Sequence, residues 1–236
     1  MRARDFRSQA WSAMNGKWTT LALITLLVSL IEGGLAGLSI IGVGAIVLLL
    51  VTGPLTLGTT IISLKVMRGN YVAVGDMFLG FKNFGNAFLL ALLNEIFVFL
   101  WSLLLIVPGI IKAYAYRMSF YILADNPDMD ANTARIRSIE MMKGNKWRLF
   151  CLDLSFIGWL ILCLLTCGIL SFWVMPYMQC STAAFYQDLI RERNNMQNAT
   201  PNAAPEQPAE PFAESAPAQS DNSDLELGNG NSEENK

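Results

Sequence analysis

The sequence predicts an all-α membrane protein: a six-helix transmembrane bundle built as three helical hairpins, with short interfacial amphipathic helices and a disordered C-terminal tail. Three observations carry this prediction. The chain is 53% hydrophobic and only 15% charged, where soluble domains are about 25% charged. Its apolar runs reach the roughly 20 residues that a helix needs to cross hydrocarbon. Cations gather at every second connection between those runs, which is the signature of positive-inside topology.

Charge also divides the chain lengthwise. From Asn194 onward there are eight acids against one lysine, a net charge of −7, while the preceding 193 residues carry 16 cations and 11 acids, a net of +5. Mean hydropathy over the whole chain is +0.38 despite that polar tail. Three parts follow: an N-terminal interfacial helix over 1–17, a six-helix transmembrane domain over 18–193, and an acidic tail over 194–236.

In the first part, Phe6, Ala10 and Met14 share a helical face with Trp11 and Trp18 nearby and arginines opposite. That pattern predicts a helix lying in the membrane interface. Its charges, with no small-residue cleavage site after them, do not fit a removed signal peptide. The first apolar run, Trp18 to Ile31, ends at Glu32-Gly33-Gly34, and the next continues from Leu35 to Val66. Ala87 to Ile111 contains only Glu95, and the run resumes after Lys112 as far as Ala124. Leu149 to Ile190 is too long for one crossing. Cutting at Glu32-Gly33-Gly34, Val107-Pro108-Gly109 and Thr166-Cys167-Gly168 gives three hairpins.

The cations agree with those cuts. Arg2, Arg4, Arg7 and Lys17 precede the first crossing, Lys65, Arg68 and Lys82 lie between the second and third, and Arg135, Arg137, Lys143, Lys146 and Arg148 lie between the fourth and fifth. Arg191 and Arg193 follow the sixth. All of these fall on one side, which predicts a cell-membrane protein with both termini cytoplasmic. A threefold repeat is also visible. The hairpins open on Gly16-Lys17-Trp18, on Phe81-Lys82-Asn83-Phe84-Gly85 and on Gly144-Asn145-Lys146-Trp147, and their returning helices carry Pro54, Pro108 and Pro176. Such prolines free backbone carbonyls that lipid cannot satisfy, so the returning helices are expected to meet centrally.

Between helices four and five, Asp125-Asn126-Pro127 stops one helix and Asp130 caps the next. Ile136, Ile139 and Met142 recur in steps of three among charged residues, predicting a helix that rests on the inner membrane surface.

One stretch has a family look. Pro108-Gly109-Ile110-Ile111, Tyr114-Ala115-Tyr116 and Tyr121-Ile122-Leu123-Ala124-Asp125-Asn126-Pro127 are followed by Ala134, Ser138, Met142-Lys143-Gly144, Leu149-Phe150 and Ser155-Phe156-Ile157-Gly158-Trp159. Pro176-Tyr177 and Phe185-Tyr186 complete the set. Together these resemble a family of bacterial integral membrane proteins known as domain of unknown function 975, over roughly Trp18 to Ile190. That family looks distantly similar to the membrane domain of some glycerophosphodiester phosphodiesterases. The resemblance implies a multi-pass topology and an unassigned activity, and it carries across no catalytic residue.

Ionisable residues inside a bilayer are costly and are functional candidates by default. Counting 1.5 Å per residue from the cytoplasmic ends puts Glu95 about 13 Å deep, Arg117 about 10 Å and Asp153 about 9 Å. With Asn94, these form a candidate polar cluster in which Arg117 pairs with Glu95 or Asp153. The competing structural role is an ion pair that fixes helix packing. Lys112 is expected to snorkel to the outer surface. Arg135, Arg137, Lys143, Lys146 and Arg148 are candidate contacts for anionic lipid headgroups, worth about 1 kcal/mol each.

There is no histidine, which removes the commonest general acid/base and metal ligand. Cys151, Cys163, Cys167 and Cys180 lie in apolar runs without redox or zinc spacing, so packing roles and no cofactor are expected. No nucleic-acid recognition pattern accompanies the cations. The tail, rich in Pro, Ala, Glu, Asn and Ser, cannot bury enough apolar surface to fold; an inert solubilising tail is expected first, with Phe212, or Leu225 and Leu227, as the alternative of a short docking motif for a protein partner.

Three functions remain. One is a non-catalytic membrane factor in assembly, lipid organisation or stress response. Another is a small-solute or ion transporter or channel using Glu95, Arg117 and Asp153. An intramembrane enzyme ranks last, because no catalytic constellation is present. The oligomeric state is not legible.

Overall fold

A computed structural model describes residues 3–38, 43–166 and 168–199; the acidic tail expected to be disordered lies outside the described residues. Every regular element among them is helical. In chain order these are α1 (Ala3–Met14), α2 (Trp18–Leu38), α3 (Val43–Met67), a 3-10 helix (Val74–Asn83), α4 (Phe84–Leu104), α5 (Ile106–Tyr116), α6 (Ser119–Asp125), α7 (Ala131–Met141), α8 (Lys146–Leu154), α9 (Ile157–Leu165) and α10 (Ser171–Ala199). Four stretches, Trp18–Gly37, Leu50–Met67, Val74–Leu104 and Lys146–Leu165, are long and apolar enough to cross a membrane.

Successive helices pack as neighbours: α2 on α3, α4 on α5, and α9 on α10. The returning helices converge as expected, with α3 touching both α6 and α10. The cuts that separate these helices need correction at two places. Glu32-Gly33-Gly34 lies inside α2, which runs on to Leu38; without an αL glycine or a proline, nothing there stops a helix. The middle turn falls at Leu105, whose backbone is extended at φ −161° and ψ 136°, so Pro108 and Gly109 belong to the first turn of α5. Proline is tolerated there because the first-turn N–H groups have no helical acceptor. The third turn is as predicted at its described residues: α9 ends at Leu165 and Gly168 sits at φ +84°.

Two predicted crossings are broken. The fourth is split into α5 and α6 at Arg117-Met118, and the fifth into α8 and α9 at Ser155-Phe156.

The amphipathic helices are covered by protein on their apolar faces. Phe6, Ala10 and Met14 of α1 are buried, at most 1% exposed, against α10, α3 and α8. In α7 the buried face is Ala131, Ala134, Ser138 and Met142, while Ile136 is 45% exposed. The expected Ile136–Ile139–Met142 face is thus displaced, since steps of 3, 4 and 4 follow the 3.6-residue period better than steps of three. Small side chains on that stripe let α7 approach α4, α5 and α6 closely. Both helices end alike. Gly16 and Gly144 adopt φ +76° and +78°, and the N–H of the following residue donates to the carbonyl of a fully buried methionine, Lys17 to Met14 (2.9 Å) and Asn145 to Met142 (3.2 Å). The repeat seen at Gly16-Lys17-Trp18 and Gly144-Asn145-Lys146-Trp147 is therefore a shared helix-ending turn.

Glycines also set the spacing around α3. A Cβ on Gly58 would collide with the carbonyl of Met77, one on Gly80 with that of Pro54, and one on Gly53 would lie 2.6 Å from the carbonyl oxygen of Ala87. The 3-10 helix and the start of α4 thus lie backbone to backbone on α3. Gly58→Ala is expected to cost about 1–3 kcal/mol through overpacking, read as a lowered thermal midpoint in detergent. Gly75→Ala, whose Cβ would meet nothing within 4 Å, should leave that midpoint unchanged.

Candidate functional site

A broken helix leaves backbone groups without partners, and in an apolar surrounding each one is costly. At the α5/α6 break, Ser138 of α7 supplies both partners that are missing. Its hydroxyl donates to the Ala115 carbonyl (2.8 Å) and accepts from the Met118 N–H (3.2 Å), and the residue is fully buried. Ser119 Oγ donates to the Tyr116 carbonyl (2.6 Å), and Asn94 Nδ2 of α4 donates to Ser119 Oγ (2.9 Å). The α8/α9 break is braced from α1, where Arg7 Nη1 donates to the Ser155 carbonyl (3.2 Å) and the guanidinium lies 5.1 Å from the Phe156 ring centre. Each break is thus closed by a polar side chain from an amphipathic helix.

The predicted cluster is not assembled as expected. Asn94 serves the α5/α6 break, with its Oδ1 buried and without a hydrogen-bond partner. Asp153 accepts from Tyr114 Oη at 3.0 Å. Glu95 and Arg117 are both exposed, and neither joins an ion pair among the described residues. Arg135 of α7 lies 3.9 Å from the Phe97 ring centre and 5.7 Å from that of Tyr116, which sets α7 beside the stretches carrying Glu95 and Arg117. Asn132, Arg137 and Glu140 are exposed on that same helix. Lys112 takes up the Trp101 ring, 4.7 Å from its centre.

The five candidate headgroup cations divide. Arg148 pairs with Asp188 (2.7 Å) and Glu192 (2.9 Å) of α10, and Arg135 lies on its two rings with its Nε buried and without a hydrogen-bond partner. Arg137 and Lys143 are exposed, and Lys146 is half-buried. Elsewhere Lys65 pairs with Asp76 (2.7 Å), Arg68 meets both carboxylate oxygens of Asp125 (2.8 Å each), and Tyr186 Oη donates to Asp125 at 3.2 Å. Asp130 caps α7 as expected, accepting from the Asn132 N–H at 3.0 Å.

Two cavities stand out. One, of about 370 Å³, is apolar and bounded by Trp11, Trp18, Trp159, Trp173 and Tyr177 between α1, α2, α9 and α10. The other, of about 330 Å³, lies between α6, α7 and α10, with Arg137, Arg193, Asp125 and Asn126 on its walls. Sequence reasoning missed Ser138, Arg7 and Arg193 as working residues. Ser138 had a signal in the small-residue stripe, whereas the Arg68–Asp125 contact joins positions 57 apart and leaves no local trace.

Outward-facing surfaces are apolar: Leu103, Ile106 and Leu164 are 74%, 75% and 83% exposed. Patches of this kind mark interaction or membrane surfaces, and the fold defines an all-helical protein compatible with a membrane location. The chain matches the family model described as Protein of unknown function (DUF975) over residues 1–114 and 103–194 and belongs to that family. No curated protein and no solved structure matches it.

Ser138→Ala removes a donor and an acceptor from buried backbone groups and is expected to cost about 1–3 kcal/mol. Thermal unfolding of the detergent-solubilised protein reads the loss. Ser8→Ala, at an exposed hydroxyl on α1, should be neutral.

Proposed function

We propose that this is a multi-pass protein of a bacterial cell membrane, crossing six times in three hairpins with both termini cytoplasmic. It acts as a non-catalytic factor in assembly, lipid organisation or stress response. The observation that supports this best is the use to which its polar residues are put. Asn94, Ser138 and Arg7 brace helix breaks, Asp153 takes the Tyr114 hydroxyl, and Arg148 ties α8 to α10. These are structural tasks. A transporter or channel needs Glu95, Arg117 and Asp153 along one path, and Glu95 and Arg117 are exposed without a shared ion pair. The protein then works through surfaces it offers to lipid and to partners at the cytoplasmic face, where the basic loops and the acidic tail lie.

Reporter fusions between residues 38 and 43, after Leu105 and after Gly168 should report the outer side, and fusions after Gly69 and after Asn126 the inner side. Any reversal at one of these sites breaks the six-crossing topology. The doubly substituted Glu95→Gln/Arg117→Met protein should insert and fold like the parent and leave solute permeability of reconstituted vesicles unchanged. A selective flux in the parent that this variant abolishes would overturn the non-catalytic, non-transporting assignment.

A further inference from the structure

The cleft between α6, α7 and α10 has an unbalanced charge. Its one carboxylate, Asp125, is already engaged, because Arg68 Nη2 reaches both of its oxygens at 2.8 Å and Tyr186 Oη donates to it at 3.2 Å. Arg137 of α7 and Arg193 of α10 line the same cavity from facing elements. Among the described residues, neither has an ion pair, in contrast to Arg68 and Arg148 nearby. Two guanidinium groups therefore line one cavity in which, among the described residues, neither is ion-paired and the one carboxylate is engaged elsewhere. Each presents a planar fork of donors suited to phosphate oxygens. The rest of the wall is mixed: Asn126 adds an amide, while Ile122, Met141 and Ile190 form an apolar side. At about 330 Å³, the cavity falls at the small end of the range of about 300–1,000 Å³ usual for ligand pockets.

We propose that this cleft binds a phosphate ester, with Arg137 and Arg193 clasping the phosphate and Ile122, Met141 and Ile190 receiving the carbon skeleton attached to it. A phospholipid headgroup and a soluble phosphate ester share this chemistry. The lipid source rests on the membrane topology proposed above, whereas the soluble source does not. Arg193 lies on the last helix, far in sequence from the basic loop that carries Arg137, so the pair exists only because α7 and α10 pack on α6.

The test is calorimetric titration of the full chain in uncharged detergent with three probes: inorganic phosphate, glycerol 3-phosphate, and phosphatidylglycerol in mixed micelles. At least one probe should bind, and Arg137→Ala/Arg193→Ala should weaken it about 10-fold or more. Arg137→Lys/Arg193→Lys, which keeps charge and loses the fork, should fall between. Lys82→Ala/Arg191→Ala removes two cations outside the cleft and should leave binding intact; size-exclusion profiles confirm that each variant is folded. Binding of phosphatidylglycerol alone assigns the site to a headgroup, and binding of glycerol 3-phosphate assigns it to a soluble ester. Equal weakening by the two alanine pairs means unspecific attraction to a basic face and overturns the proposal, as does the absence of binding by all three probes. A failed topology test combined with retained binding of glycerol 3-phosphate would separate this site from the membrane assignment.

Discussion

The hydroxyl of Ser138 holds the middle of this protein together. It donates to Ala115 and accepts from Met118 across a gap in the helical ladder that α5 and α6 would otherwise share. A helix broken at Arg117-Met118 leaves a donor and an acceptor exposed to an apolar interior, where each costs far more than in water. One serine from another helix answers both. That contact fixes the rotation of α7, because Ser138 belongs to the same buried stripe as Ala131, Ala134 and Met142. With the rotation set, Arg135 falls over Phe97 and Tyr116, and Arg137 turns toward the cleft it shares with α10.

The same device recurs at the other break. Arg7 of α1 reaches the Ser155 carbonyl, and its guanidinium lies over Phe156 and Tyr177. Both braces come from amphipathic helices, α1 and α7, that end in an αL glycine two residues after a buried methionine. The threefold repeat thus has structural content in its first and third copies. In each, an amphipathic helix turns on glycine into the next helix and lends a polar side chain to a helix break elsewhere. In the middle copy a 3-10 helix takes that place, pressed onto α3 so closely that Gly58 and Gly80 have no room for a side chain.

The cations illustrate how much charge can be absorbed by a fold. Arg68, Lys65 and Arg148 are held by carboxylates on other elements, and Arg135 by aromatic rings. In sequence these look like the more exposed members of the same basic segments. Charge count sets which side of a membrane a loop prefers, but it does not tell a cation that faces a headgroup from one that is consumed inside. Arg137 and Arg193 are among the described cations that keep that freedom, and both line one cavity.

Composition, apolar run length and cation placement were enough to predict an all-helical chain with helices apolar enough to cross a membrane, the Asp130 cap, the turn at Thr166-Gly168 and the contacts of α3 with α6 and α10. They work because helix periodicity and the cost of burying charge are local properties, written residue by residue. They failed at Glu32-Gly33-Gly34, which stays helical, and at Arg117 and Ser155, where helices break without proline or glycine. A break of that kind is decided by whether a distant side chain is present to satisfy the freed carbonyl, and Ser138 and Arg7 lie 20 and 148 residues away from the groups they serve. The sequence by itself determined what kind of material each segment is. Tertiary packing alone decided which polar groups are spent on structure and which remain available, because that depends on pairings that no local pattern encodes.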